Sequence, residues 1–400
     1  MARRIIIVGG GAAGFFAAIT AAEAGAQVTI LEKSAHFLSK VKISGGGRCN
    51  VTHVPGEAAR FAENYPRGER PLIGALSQFS ATDTVEWFEQ RGVKMYTQED
   101  GCLFPTSDDS QTIIDCFLKA ARDAGVRMRL NAAPERVERT GGGFRITLAG
   151  GETLDCERVL LATGGCRVAA MGDLAVSLGH TLEPPVPSLF TFHVDVPWVQ
   201  QLAGIVVPDV QVSVPAAKLS ERGILLLTHW GVSGPVILRL SAWGARKLAA
   251  LDYKFTLQLN WLPELNEQAL DKRREESPAK LVVNTPLAPL TTRLWEALVL
   301  AAGVPRETRW SALSKAQKHV LVKQLARTEL PVSGKSLNKD EFVTCGGVKL
   351  SEVNFKTMES KVCPGLYFAG ELLDIDGITG GFNFQSCWTT GFIAGTAMAL

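Results

Sequence analysis

Residues 5–8 are four consecutive β-branched side chains set between two arginines and a glycine. A wholly apolar run that short predicts a strand covered on both faces, the environment of a parallel sheet. Residues 15–24 are rich in Ala and Phe and end at Gly25, which predicts a helix with a glycine cap. Residues 28–31 predict a second strand, so the chain opens as strand, helix, strand. Two later apolar runs, 158–161 and 365–368, read the same way, each leading into glycine, and a last helix is expected over about 384–399. Between 190 and 259 the apolar residues alternate: Phe192, Val194 and Val196, then Val206, Val210, Val212 and Val214, then Phe255, Leu257 and Leu259. That is the period of antiparallel strands. From 263 to 330 the period becomes helical, with Leu294, Leu298 and Ala301 on one stripe and Leu313, Val320, Leu321 and Leu325 on another. Pro184, Pro185 and Pro187 punctuate the first change. The pattern predicts an α/β chain. A split Rossmann-like domain occupies 1–188 and 341–400, and it is interrupted by a β-rich module at 189–260 and a small helical module at 261–340.

At 400 residues the chain exceeds one compact core. With 46% hydrophobic and 20% charged residues it buries apolar surface rather than staying disordered. The 42 Lys and Arg against 40 Asp and Glu leave a formal charge of +2. So small a charge makes no field for a polyanion or an anionic surface, and neither nucleic acid nor membrane is expected as a partner. The 8 cysteines form no C-x-x-C, which argues against a disulfide framework and a tetrathiolate zinc site and for a reducing cytoplasm. No metal is expected. Arg3 and Arg4 before an apolar stretch imitate a secretory signal, but Gly9, Gly10, Gly11 and Gly14 would weaken its helix by about 1 kcal/mol each. No apolar run approaches the roughly 20 residues that span a bilayer.

The same glycines suit a tight strand-to-helix turn. Gly9-Gly10-Gly11-Ala12-Ala13-Gly14 is G-x-G-x-x-G between a predicted strand and helix, and Glu32 closes the second strand 18 residues after Gly14. In that setting Gly9 permits the turn, Gly11 lets backbone approach a pyrophosphate, and Gly14 lets the helix pack close to the strand. The helix start, with Ala12 and Ala13, offers N–H groups and partial positive charge to the phosphates. Glu32 can accept hydrogen bonds from the hydroxyls of an adenosine ribose and would repel a 2′-phosphate, which leaves FAD or NAD. Three further clusters choose between them. Gly45-Gly46-Gly47-Arg48-Cys49-Asn50, with Lys40, Lys42 and Ser44 ahead of it, is a second anion-binding turn. Ala162-Thr163-Gly164 returns the chain to the cofactor, and Gly370-Glu371 repeats a strand end with glycine and an acid. Gly380-Gly381-Phe382-Asn383 then places a helix start where it would stabilise negative charge on a flavin. NAD needs none of this, so the cofactor expected is FAD.

These runs resemble a known family. K-x-S-G-G-G-R-C-N-V-T at 42–52, L-F-P-T-S at 103–107, T-H-W-G-V-S-G-P at 228–235, T-M-E-S-K at 357–361, G-L-Y-F-A-G-E at 365–371 and G-G-F-N-F-Q at 380–385 are similar to the bacterial NAD(P)/FAD-dependent oxidoreductases of the BaiN, YhiN and RdsA type, which include aminoacetone oxidases. The resemblance spans nearly the whole chain, departing little beyond Phe382, where Tyr is also familiar. It implies a glutathione-reductase-type FAD-binding domain split by a β-rich and a helical insertion. Lys33, beside Glu32, and Val137 complete the expected cofactor contacts.

No residue declares itself a catalytic acid or base. Cys49 lacks a second cysteine nearby and is expected to pack, as are Cys345 and Cys387. His229, in the Thr-His-Trp-Gly turn, is the best histidine for an acid or a substrate contact, although a structural role is favoured. Arg306, Arg309, Lys315, Lys318, Lys323 and Arg327 form a basic helical stretch, read as a solvated face. With one G-x-G-x-x-G and no redox cysteine pair, any NAD(P)H must dock transiently on the flavin. The expectation is a flavoenzyme exchanging hydride with a small organic substrate. An aminoacetone-type amine oxidase is the alternative, with an RNA-modifying flavoprotein and a non-catalytic redox sensor behind it.

Overall fold

In the computed structural model, residues 2–166, 172–265, 268–336 and 343–400 are described. The expected boundary between 340 and 341 lies outside them. The chain divides into two units, one comprising Met1–Ser188 and Lys339–Leu400 and the other Leu189–Asn338.

The first unit is built on a seven-stranded sheet with β1 (Arg4–Val8) near its centre. β1 pairs in parallel with β2 (Gln27–Leu31) on one side and Arg158–Leu161 on the other. Leu366–Phe368 extends the parallel run beyond Arg158–Leu161, and Arg127–Arg129 extends it beyond β2. The central position explains the sequence: Ile5, Ile6, Ile7 and Val8 are all buried, as neighbours on both sides and layers on both faces require. Helix α1 (Ala12–Glu23) follows β1, starting three residues before the sequence pattern alone suggests, because two alanines and a glycine carry no stripe to count. The C-terminal helix Phe382–Ala399 likewise begins earlier than expected. The two helices pack together over a cluster of Phe16, Phe88, Phe117 and Trp388, with Phe16 and Trp388 rings 5.9 Å apart. A two-stranded ribbon of Leu182–Ser188 and Val343–Val348 is also part of this unit.

The second unit is a closed six-stranded barrel, ordered Thr191–Val194, Gly231–Ser233, Leu219–Thr228, Val206–Val214, Phe255–Asn260 and Thr328–Ser336. The two expected modules, β-rich and helical, are here one body with one core. Thr328–Ser336 comes after the helices in sequence and closes the barrel against Phe255–Asn260 and Thr191–Val194. A pairing across such a separation leaves no local pattern. The helices Thr292–Ala301 and Lys315–Ala326 seat Leu294, Leu298, Leu321 and Leu325 in that core, whereas Ala301 and Val320, predicted for the same stripes, are exposed. Trp261, Trp295 and Trp310 are fully buried and each indole N–H is used, donating to Thr328 Oγ1, the Val282 carbonyl and Thr285 Oγ1 respectively.

Candidate cofactor site

The first unit contains a cavity of about 1000 Å³ at the C-terminal ends of its parallel strands, where open α/β sheets bind their ligands. Its floor is the turn after β1. Gly9 has φ of 114° and a Cβ there would lie 2.2 Å from the Ala162 carbonyl; one on Gly14 would lie 2.0 Å from the Gly9 carbonyl. Both must be glycine for β1, α1 and the neighbouring strand end to meet. At Gly11 a Cβ would meet nothing within 4 Å, because that side faces the cavity. Gly11 is also the N-cap of α1 and no side chain caps the helix, so its first N–H groups remain available.

Glu32 stands at the end of β2. Its Oε2 accepts from the Gly10 N–H and its Oε1 from the Ser34 N–H, each at 2.8 Å. The carboxylate thus braces the glycine turn as well as facing the cavity, and each oxygen retains a lone pair for a ligand hydroxyl. Opposite, the helical segment α2 (Ser39–Gly47) unwinds at Ser44, and Gly45, Gly46 and Gly47 follow with φ of 56°, 68° and 86°. Three left-handed residues in a row explain the glycine triplet. Lys40 Nζ donates to Glu371 Oε2 at 2.5 Å, joining α2 to the end of Leu366–Phe368.

The far wall is the start of the C-terminal helix. Gly381, with φ of 88°, is its N-cap and again no side chain caps it. The Asn383 amide clamps the preceding loop, accepting from the Gly377 N–H at 2.8 Å and donating to the Gly377 carbonyl at 2.9 Å. Tyr65 donates to the Phe382 carbonyl at 2.6 Å, while the His53 imidazole contacts the Gly380 carbonyl and stacks on the Phe382 ring.

Of the residues expected from sequence, Gly9, Gly11, Ala12 and Ala13 line the cavity from the first turn, and Glu32 and Lys33 from β2. Lys40, Ser44, Gly45, Gly46 and Asn50 line it from α2 and beyond, and Ala162, Thr163 and Gly164 from the middle strand. Gly370, Glu371, Gly380, Gly381 and Asn383 complete the set. Others stand behind the wall. Gly14 serves packing, and Gly47 continues the turn. Arg48 lies with its guanidinium 4.2 Å from the Phe104 ring centroid, and Phe382 is buried against His53 and Tyr65. Val137 is buried in the strand Pro134–Thr140, paired with Ile146, and the segment that reaches the cavity is Ala133, Pro134 and Glu135 instead. Burial pushes the Cys49 thiol up to about 12, and the same holds for Cys387, which does touch the cavity. Neither is a thiolate nucleophile. Sequence reasoning missed Val343, Asp173 and Leu174 in the wall. Val343 opens V-T-C-G-G-V, whose paired glycines were a usable signal; the other two carried none. Among the described residues no cluster of His, Cys, Asp or Glu could hold a metal, and no helix is long and apolar enough to cross a membrane.

Two helix starts without side-chain caps opening on one cavity of about 1000 Å³, with Glu32 beside one of them, suit a cofactor that has a pyrophosphate, an adenosine ribose and a ring that becomes anionic. FAD has all three; FMN lacks the adenosine half.

The HI0933-like protein Rossmann domain matches residues 3–397. The ribosomal RNA dihydrouridine synthase of Escherichia coli is 30% identical over 398 residues, spanning 97% of this chain and 96% of its own. The 3-dehydro-bile acid delta(4,6)-reductase of Clostridium scindens is 30% identical over 412 residues, 99% of both chains. In fold the chain is similar to the 3-ketosteroid delta1-dehydrogenase of Sterolibacterium denitrificans, with a TM-score of 0.54 at 13% identity and 99% of each chain covered. It is similarly close to the 3-ketosteroid-delta4-(5alpha)-dehydrogenase of Rhodococcus jostii, at 0.53 and 14% over 100% and 97%. The chain belongs to the HI0933-like Rossmann family, and within it is an FAD-dependent oxidoreductase.

Proposed function

We propose that this enzyme reduces a carbon–carbon double bond conjugated to a carbonyl group, using NAD(P)H that docks transiently. The observation that carries the reading is the pair of full-length relatives. A dihydrouridine synthase saturates the uracil 5,6 bond and a delta(4,6)-reductase saturates bonds conjugated to a 3-oxo group, so one chemistry underlies both names. Bound FAD supplies the hydride carrier at the isoalloxazine N5.

The chain's residues would supply position and electrostatics. The α1 start would hold the pyrophosphate and Glu32 the ribose. Lys40 and Glu371 would stand along the middle of the cofactor, and the start of the C-terminal helix would favour negative charge on the reduced ring. No second G-x-G-x-x-G offers a resident nicotinamide site, which supports a reductant that comes and goes.

A nucleobase in RNA is a second form of the same substrate chemistry, and charge distribution favours keeping it. The second unit has 18 Lys and Arg against 12 Asp and Glu, a net +6, which leaves 24 against 28, a net −4, for the first. The overall +2 conceals this asymmetry. Part of the basic stretch is neutralised, however, with Lys318 paired to Asp271, Arg306 to Glu296 and Arg327 to Glu329.

Anaerobic mixing tests the proposal. NADH or NADPH should bleach the flavin, and a conjugated enone or a uridine-bearing ribosomal RNA fragment should restore its colour and leave a saturated product. If both nucleotides leave the flavin oxidised while an aminoketone bleaches it and air returns the colour with peroxide, the enzyme is an amine oxidase and the proposal is wrong.

A further inference from the structure

The loop Gly377–Gly381 ahead of the C-terminal helix contains three glycines, and Ile378, Thr379, Gly380 and Gly381 all face the cavity. The loop is held at Gly377 by the Asn383 amide and at Ile378 by the Asn64 carbonyl, and its entry is fixed by the residue before it. Asp376, immediately before the loop, is fully buried. Arg67 grips it in a fork, with Nε donating to Oδ1 at 2.5 Å and the second guanidinium nitrogen donating to Oδ2. Ser188 Oγ donates to the same Oδ2 at 2.6 Å, and the Arg67 and Asp376 main chains form a bridge of their own. The close approach is prepared by Gly68, which has φ of 90° and where a Cβ would lie 2.7 Å from Ile375 Cγ1. Burial pushes the Asp376 carboxyl up, and Arg67 and Ser188 pull it back.

A buried ion pair adds little stability over an apolar pair of the same volume, whereas two parallel N–H···O bonds from one guanidinium add geometric specificity. We propose that Arg67, Asp376 and Ser188 are positioning residues that set the backbone of the cofactor loop, and through it the aim of the N–H groups at the start of the C-terminal helix toward the flavin ring. These N–H groups are fixed dipoles lining the cavity, so with FAD bound their aim would set how well negative charge on the reduced ring is stabilised. The inference rests on the FAD cofactor and is independent of the substrate.

The test separates positioning from stability. The double variant Arg67→Met/Asp376→Leu removes both charges together and leaves only the neutral Ser188 hydroxyl without its partners, and Ser188→Ala removes one donor. For each, FAD affinity is measured by fluorescence quenching, the midpoint potential by dye equilibration, and folding by circular dichroism and melting of the FAD-free chain. The double variant should fold, bind FAD at least tenfold more weakly, show a shifted flavin absorption band and have a more negative potential; Ser188→Ala should move each in the same direction by less. Should the double variant fail to fold, Ser188→Ala decides the matter. Folded variants with the affinity, spectrum and potential of the parent, differing only in melting temperature, would overturn the proposal. No outcome here depends on finding the substrate.

Discussion

Replacing Gly11 by Val isolates cofactor binding from folding. A Cβ at Gly11 meets nothing within 4 Å, and its backbone, with φ of −95°, is open to any residue. The chain itself should therefore tolerate the change. The one cost is at the N-cap, where Val is poorer than Gly by up to about 1 kcal/mol, a shift of about 2–4 °C in a domain of this size. The added side chain would instead fill the space over the first N–H groups of α1. Charge-assisted bonds to a phosphate contribute about 1.5–3 kcal/mol each, so losing two weakens binding by about 3–6 kcal/mol, roughly two to four powers of ten. Melting with and without FAD reads both effects. At 1,000 times its dissociation constant FAD should stabilise the parent by about 4.1 kcal/mol, whereas at the same concentration a variant weakened 100-fold keeps about 1.4 kcal/mol. Gly14→Ala is the contrasting arm. Its Cβ would lie 2.0 Å from a backbone carbonyl, so it should destabilise the chain with or without FAD. Full FAD occupancy and an unchanged dissociation constant in Gly11→Val would refute the placement of the pyrophosphate.

Two further changes probe the bracing of this unit. Glu32→Ala should weaken FAD and also destabilise the FAD-free chain by about 3 kcal/mol, since its carboxylate holds the Gly10 and Ser34 N–H groups; a melting temperature unchanged without FAD would show that the turn needs no brace. His180 is buried between Glu352 and Ser360, with Nδ1 3.0 Å from the carboxylate and Nε2 2.8 Å from the hydroxyl. Burial depresses its pKa below the ordinary 6.5, against the pull of Glu352. The unfolded chain therefore binds this proton first, and stability present above pH 6.5 falls as pH drops toward the folded value, by at most about 1.4 kcal/mol per pH unit. Melting from pH 7.5 to 5 should show that slope, and His180→Asn should flatten it; an equal slope in the variant would assign it elsewhere.

What the sequence by itself determined was local. Residues 5–8, Gly9, Gly11, Gly14 and Glu32 specify strand, turn, helix and acid within one short stretch, and each reports its role through spacing or through the absence of a side chain. The triplet Gly45-Gly46-Gly47 was legible for the same reason, since three left-handed residues admit little else. Tertiary structure decided whatever depended on partners far along the chain. Glu32 looked like a ligand residue only, because nothing local shows its carboxylate bracing Gly10. Val137 looked like a contact, but it is buried in the core, and Ala133–Glu135, at the strand's irregular start where the register shifts between Pro134 and Arg136, reach the cavity instead. Thr328–Ser336 joined two expected modules into one barrel through pairings with strands some 70 and 140 residues earlier. Arg67, Ser188 and Asp376 are unremarkable in sequence, separated by 121 and 188 residues. Only folding could make them one buried cluster: a long-range contact acquires its energy from burial and geometry, and neither is written in the residues on either side of it.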